Sequence, residues 1–260
     1  MRLVATLHNR RGDPLLLLTF LKVLSREGKL GSIGVAWSIP SGNCEPGWEE
    51  LVREERRVQE ALRSCVRMVH NSELSWDAKS FLGRCYRSFQ YEFMVCLNLK
   101  RRDRRLKMVL FDDPSVREVR YREIGNPEAL LHEIAAHPSS QQAEVLRSRY
   151  ALFRAAYDRL EVYERMVLQP NCALLEIPLE IAKFEKTREK YMADALREHR
   201  PDVVLLRLVH CLTNPPPGLE KLGIAQSEAL PVRLGLTPMN ITRLTEAERI
   251  VGPLPLRDYL

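Results

Sequence analysis

The sequence lacks the short motifs that mark the commonest nucleotide and hydrolase sites. It has no GxGxxG or Walker A segment, and Gly31, Gly34 and Gly42 do not make a phosphate loop. No serine stands in a GxSxG segment, the usual nucleophile turn of α/β-hydrolases. Classical dinucleotide or nucleoside-triphosphate chemistry and the ordinary serine hydrolase site are therefore disfavoured.

Paired cysteines and long hydrophobic runs are also missing. The six cysteines are scattered, with no CxxC pair, which disfavours a thiolate zinc site. The apolar stretch 14–24 is too short to span a bilayer and is interrupted by Lys22. Met1 and Arg2 lead directly into a strand-like segment, so no secretory signal is visible. We therefore expect a cytoplasmic protein with reduced thiols and no membrane span.

Size and charge leave several classes of function open. The 260 residues, 45% of them hydrophobic, suit one α/β domain over 1–260. The net charge of +6 permits an anionic partner without requiring one. Part of it comes from a basic cluster at 100–107, which is typical of a solvated helix end. A phosphate or nucleic-acid patch is the alternative, although no aromatic residue interrupts the cluster.

The order of apolar segments and breaks predicts an α/β fold, a mostly parallel sheet flanked by helices. Asp13 and Pro14 are good residues to begin a helix between the first two strands, so the chain opens with a βαβ unit. A helical insertion is expected over 127–200, and the Pro-rich tail from 237 is expected to wrap around the outside. The predicted strands are 2–7, 33–39, 106–111, 203–209 and 229–234.

Two predicted strands end in histidine, His8 and His210. In parallel sheets ligands bind at the carboxyl ends of the strands, so both imidazoles are predicted to line a crevice there. Asp112 and Asp113 follow a third strand in the same way. Two histidines and a carboxylate suit Mn, Fe, Co or Zn, or a metal-free acid–base pair. The alternative is that each histidine only caps its strand.

The order of elements and several short segments resemble the TraB/ChaN/Tiki/erythromycin-esterase superfamily. Ala5-Thr6-Leu7-His8 resembles its first strand ending, "GTxH", and Leu208-Val209-His210 resembles its last, "GHL". Glu92 and Asp112 match its acidic helix residue and its acidic strand end. Arg188 with 192–193 matches its "R..MA" helix. The resemblance covers about 2–234 and implies a hydrolase-like fold.

One departure concerns the second strand, which in that superfamily ends in a catalytic or metal-binding glutamate. Here Trp37 stands at the corresponding position. The chain is then a degenerate member that binds a ligand without turning it over, or one that has recruited Glu92, Asp112 or Asp113 instead. Arg188 is expected either to hold an anionic substrate group or to form a surface ion pair with a neighbour such as Glu185.

These observations predict a hydrolase-like protein whose strand-end crevice is lined by two histidines. A divalent metal, Mn, Co or Zn, is the expected cofactor, and the partner is a small anionic ligand or peptide substrate. The alternative is a non-catalytic protein that binds a nucleotide or nucleic acid on the same fold, so an enzymatic role stays open. The predicted catalytic residues are His8, His210, Asp112 and Glu92; His8 and His210 also bind the metal, and Arg188, Arg10 and Asn214 bind substrate.

Overall fold

The structure is a computed structural model, in which part of the chain is described. The described residues are 1–6, 13–71, 76, 79, 91–114, 141, 144, 179–207, 211 and 230–244.

The strands are short and the helices are long. Strands β1 to β5 are Arg2–Thr6, Ser32–Val35, Lys107–Leu110, Val203–Arg207 and Ile241–Arg243. Helices α1 to α5 are Asp13–Arg26, Trp48–Asn71, Tyr91–Arg102, Leu179–His199 and Leu230–Arg233. None of these helices is long and apolar enough to cross a membrane.

The strands form one five-stranded sheet in the order β3-β2-β4-β1-β5. Every pairing is parallel, and β4 lies between β1 and β2, with Val4 and Val35 both opposite Leu205. The predicted α/β fold with a parallel sheet flanked by helices is confirmed. The carboxyl ends of β1 and β4, the strands that precede His8 and His210, lie side by side.

Each face of the sheet is covered by its own group of helices, because successive strand residues point to opposite faces. On one face Val4 and Leu205 pack with α1, α3 and the start of α2. On the other, Ala5 and Leu206 pack with α4 and with Leu230 of α5. Helix α1, after β1, and the next described helix after β4, α5, therefore lie on opposite faces.

The segment before α2 runs along the outer side of the edge strand β3. The backbone N–H of Leu110 donates to the Cys44 carbonyl at 2.7 Å, and Trp48 lies against Arg104 beyond the other end of the strand. This segment provides a partner for an edge strand that would otherwise present unpaired backbone groups.

The predicted C-terminal elements are wrong in two places. Residues 230–233 are helical, not a strand, and the Leu234 N–H donates to the Leu230 carbonyl. Pro231, which lacks an N–H and has a helical φ, favours the start of a helix over a strand. The tail does not merely wrap around the outside, because 241–243 adds a fifth strand beside β1.

The predicted insertion at 127–200 is described only in part. Its last helix, α4, packs directly on the sheet through Met192, Ala193 and Leu196. Apart from Gln141 and Glu144, residues 127–178 lie outside the described part of the chain.

Candidate functional site at the carboxyl edge of the sheet

The carboxyl ends of β1 and β4 have the geometry that creates a crevice in α/β sheets. They are adjacent; α1, after β1, packs on one face, and Cys211 and α5, the next described parts of the chain after β4, pack on the other. Connections that leave two neighbouring strands toward opposite faces open a gap in which ligands bind. Four predicted site residues, His8, Arg10, His210 and Asn214, follow these two strands in sequence and lie outside the described residues.

Glu92 is held at this edge by the last residue of β1. The Thr6 hydroxyl donates to Glu92 Oε1 at 2.8 Å and also lies 3.1 Å from the Leu206 carbonyl of β4. Thr6 is fully buried, so its hydroxyl fixes the carboxylate with little freedom of movement. Glu92 stands in the first turn of α3, where the helix dipole favours a negative charge. A charged acceptor is thus placed where β1 meets β4.

Asp112, at the end of β3, is engaged by Arg188 of α4. Arg188 Nε donates to Asp112 Oδ1 and its terminal nitrogen to Oδ2, both at 2.6 Å. The side chains of Arg188 and Asp112 are 5% and 13% exposed. This planar, two-bond arrangement is the strong form of an arginine–carboxylate pair.

This ion pair bears on the roles predicted for both residues. Arg188 directs its Nε and terminal nitrogen to Asp112; the side chain of Glu185, its expected surface partner, lies outside the described part of the chain. Since both oxygens of Asp112 accept from that guanidinium, Asp112 is poorly suited to take a proton from substrate or to bind a metal. Of the acids predicted for catalysis, Glu92 is the better placed.

Tyr191 and Cys44 border the same ion pair. The Tyr191 hydroxyl lies 4.0 Å from Cys44 Sγ, one turn along α4 from Arg188. Burial, followed by the neighbouring Cys44 and the carboxylates of Asp113 and Asp112, raises the pKa of Tyr191 to about 12. Tyr191 therefore remains a neutral hydrogen-bonding hydroxyl throughout the physiological pH range.

Trp37, which stands in place of the expected glutamate, brings a different glutamate to the end of β2. Its ring stacks on Phe93 with centroids 5.1 Å apart, and its Nε1 donates to Glu54 Oε1 at 2.9 Å. Arg57 also holds Glu54 through two 2.8 Å hydrogen bonds. Glu54 is 4% exposed. Glu54 of α2 thus places a buried carboxylate, paired with Arg57, near the end of β2.

A further carboxylate lies on the α4 face near the end of β4. Glu189 is 4% exposed. Burial and, to a smaller extent, the charge of Glu189 raise the pKa of the Cys211 thiol. The Cys211 thiol also donates a hydrogen bond to the Leu206 carbonyl of β4, with 3.8 Å between the sulfur and the oxygen. The Cys211 thiol is thus kept protonated and acts as a packed neighbour rather than as a nucleophile.

The described residues fit a metal only in part. Among them no group of three His, Cys, Asp or Glu side chains is arranged to hold an ion. Asp112 is engaged by Arg188, whereas Glu92, which Thr6 orients, has the chemistry of a carboxylate ligand held by a hydrogen bond behind it. A metal centre would therefore need His8 and His210 together with Glu92.

Sequence reasoning missed Thr6, Glu54, Glu189, Tyr191 and Cys44. A signal existed for Glu54 alone: it lies between Leu51 and Val58 on the core-facing stripe of α2, where an acidic residue is unexpected. Thr6 stands in the segment that resembles the "GTxH" strand ending, but no role was assigned to it. Glu189, Tyr191 and Cys44 have no local signature, because their surroundings are created by distant segments.

Comparisons of the chain with protein-family models, curated proteins and solved structures find no match. Membership of the superfamily that the sequence motifs resemble therefore stays a prediction.

Proposed function

We propose that this protein is a hydrolase-like enzyme whose reaction takes place in the crevice between the carboxyl ends of β1 and β4. The observation that carries the proposal is the adjacency of these two strands, the ones that His8 and His210 follow. Polar side chains from opposite ends of the sequence are typical of an active site at such a crevice.

In this proposal Glu92 and the two histidines have different chemical roles. Glu92, held by Thr6, accepts a proton from water or binds a metal, and a histidine donates a proton to the leaving group. A bound Mn, Co or Zn would supply a Lewis acid and a more acidic water. Thr6 is a positioning residue, because it acts through the Glu92 carboxylate.

Arg188 and Asp112 form a buried ion pair that joins α4 to the end of β3. An anionic substrate group would instead meet Arg10, which follows β1 in sequence.

Hydrolysis of p-nitrophenyl acetate, p-nitrophenyl phosphate and casein tests the proposal. The expected result is turnover of one of these, reduced at least about 100-fold in Glu92→Gln and in His8→Ala/His210→Ala. Thr6→Val should lower kcat by a smaller factor with little change in KM. His70→Ala, an exposed residue at the end of α2, is the matched control. Activity that survives in the double histidine variant would contradict the proposal.

Metal dependence has a separate test that needs no substrate. Melting temperatures are measured with Mn, Co, Zn, Ni or EDTA, since a ligand that binds only the folded state raises the melting temperature. We expect one metal to stabilise the wild type and His70→Ala but not His8→Ala/His210→Ala. If no metal acts on the wild type, the metal-dependent form of the proposal is wrong and the metal-free acid–base form remains.

A further inference from the structure

A second surface, formed by α2 and α3, carries a dense group of arginines. We define the α2–α3 basic surface by Arg53, Arg56, Arg101, Arg102, Arg104 and Arg105, all of them exposed. Two contacts join its halves: Arg101 donates to Glu55 at 2.6 Å, and the Arg104 guanidinium lies 3.4 Å from the centre of the Trp48 ring. Its α3 half lies toward the amino edge of the sheet, since 101–105 immediately precedes β3.

In the folded protein this surface carries more positive charge than the composition of its segments indicates. Helix α2 contains five arginines and five glutamates and is neutral as a segment. The carboxylates of Glu54 and Glu55 are turned inward, 4% and 7% exposed, whereas Arg53 and Arg56 face solvent. Glu49 and Glu60 of the same helix remain exposed, so α2 buries part of its negative charge and its exposed surface carries an excess of positive charge beside the cluster at the end of α3.

The structure also supplies the aromatic residue that the basic cluster lacks in sequence. Trp48, from the start of α2, lies under Arg104. The guanidinium makes a cation–π contact with the ring, and Arg104 is exposed to solvent. Arginines that pair with phosphates around a stacking platform are the chemistry of single-stranded nucleic-acid binding.

We propose that the α2–α3 basic surface binds single-stranded nucleic acid, with Arg53, Arg56 and Arg102 on phosphates and the Arg104–Trp48 pair under a base. An anionic membrane is the less favoured partner, because membrane-surface helices place apolar side chains beside their basic ones. The six residues of the surface are all arginines, which suit bidentate contacts to phosphate. This proposal is independent of the proposed hydrolase-like function.

Binding of a fluorescein-labelled poly(U) oligonucleotide, followed by anisotropy over a series of salt concentrations, tests the proposal. Each phosphate contact to a single strand adds about −0.7 to the slope of log K against log salt. Arg53→Gln/Arg56→Gln/Arg102→Gln should therefore make that slope less negative by about 2 and weaken binding at least about tenfold at low salt. Arg102→Gln alone should change the slope by about 0.7, so the proposal remains testable if the triple variant unfolds.

The matched control removes the same charge from the opposite face of the sheet. Lys190→Gln/Arg197→Gln/Arg200→Gln changes three exposed cations on α4 and the residue after it and should leave poly(U) binding unchanged. Equal loss in both triple variants, or a wild-type affinity that does not depend on salt, would overturn the proposal.

Two further arms separate the possible polyanions. Arginine-dependent binding to phosphatidylcholine–phosphatidylserine vesicles without binding to poly(U) would overturn the proposal in favour of a membrane. Tighter binding of a duplex than of poly(U) at the same salt would overturn the assignment to a single strand, because paired bases cannot stack on Arg104.

Discussion

At the scale of single residues, buried charge is what distinguishes this chain. Asp112 with Arg188 and Glu54 with Arg57 each join a carboxylate to an arginine through two hydrogen bonds close to the ends of β3 and β2. Burying a charge is unfavourable unless a partner compensates it. These pairs are therefore expected to respond far more strongly to substitution than charged pairs on the surface.

The Asp112–Arg188 pair gives the first prediction. Asp112→Asn removes the negative charge that accepts two hydrogen bonds from the buried Arg188 and should lower the free energy of unfolding by about 2–4 kcal/mol. The matched control is Asp194→Asn, which removes an ion pair with Arg197 on the same helix. There both side chains are more than half exposed, at 59% and 51%, and the expected change is about 0–1 kcal/mol. Urea denaturation measures both; equal losses would contradict the prediction.

Tyr191 gives a prediction for alkaline pH. Its pKa is raised from 10.0 to about 12 in the folded protein, chiefly by burial. The folded state therefore holds this proton more tightly than the unfolded state does, so the stabilisation is complete below pH 10 and is lost as the pH rises toward 12.

Absorbance titration of tyrosinate measures this pKa directly. The difference between wild type and Tyr191→Phe should show one tyrosine ionising near pH 12, and the variant should lose less stability than the wild type over the same alkaline range. A difference spectrum centred on the ordinary tyrosine pKa of about 10 would contradict the prediction.

At the scale of elements, β2 is packed without spare room. A Cβ added to Gly34 would lie 3.0 Å from Pro201 Cγ and 3.2 Å from Phe111 Cε1. The glycine is required here by close packing between strands, since its φ is not in the left-handed region.

We therefore expect Gly34→Ala to lower the free energy of unfolding by about 1–3 kcal/mol through overpacking. Gly47→Ala is the matched control, because a Cβ there meets no atom within 4 Å and its φ is not positive. It should change stability by no more than about 0.5 kcal/mol. Thermal unfolding followed by circular dichroism compares the two, and equal effects would show that contact with Pro201 and Phe111 does not limit the site.

At the scale of the whole molecule, the sheet order sets which strands are most protected. β4 lies between β1 and β2 and is covered on both faces, whereas β5 has three residues and pairs with β1. Amide hydrogens of β4 should exchange only through global unfolding and those of β5 through local opening. Hydrogen exchange against urea measures both, and comparable protection in β4 and β5 would contradict this.

The two proposals also belong to the whole molecule, because they concern different surfaces. The crevice lies at the carboxyl ends of β1 and β4, and the α2–α3 basic surface is formed by exposed arginines of two helices. A protein that carries both would hold a single strand on one surface and act on a substrate at another, and each role can fail without the other.

Local patterns in the sequence were enough to predict most of the described strands and the first helix. Four strands were predicted within a few residues from apolar segments of strand length that end in polar residues. Helix α1 was predicted from Asp13, Pro14 and its apolar stripe. Hydrophobic period and capping act over a few residues, so one sequence is enough to reveal them. The same local rules failed at 230–233 and 241–243, where packing against α4 and β1 decides the conformation.

Only the tertiary structure decided which distant residues meet. Glu92 meets Thr6, Arg188 meets Asp112 and Trp48 meets Arg104 because the strand order and the choice of sheet face bring their segments together. No local pattern contains that information, since strand order is set by which arrangement buries the most apolar surface without unpaired backbone groups. For this reason the sequence indicated acids at the strand ends, but not that Asp112 is neutralised by Arg188 while Glu92 is held by Thr6.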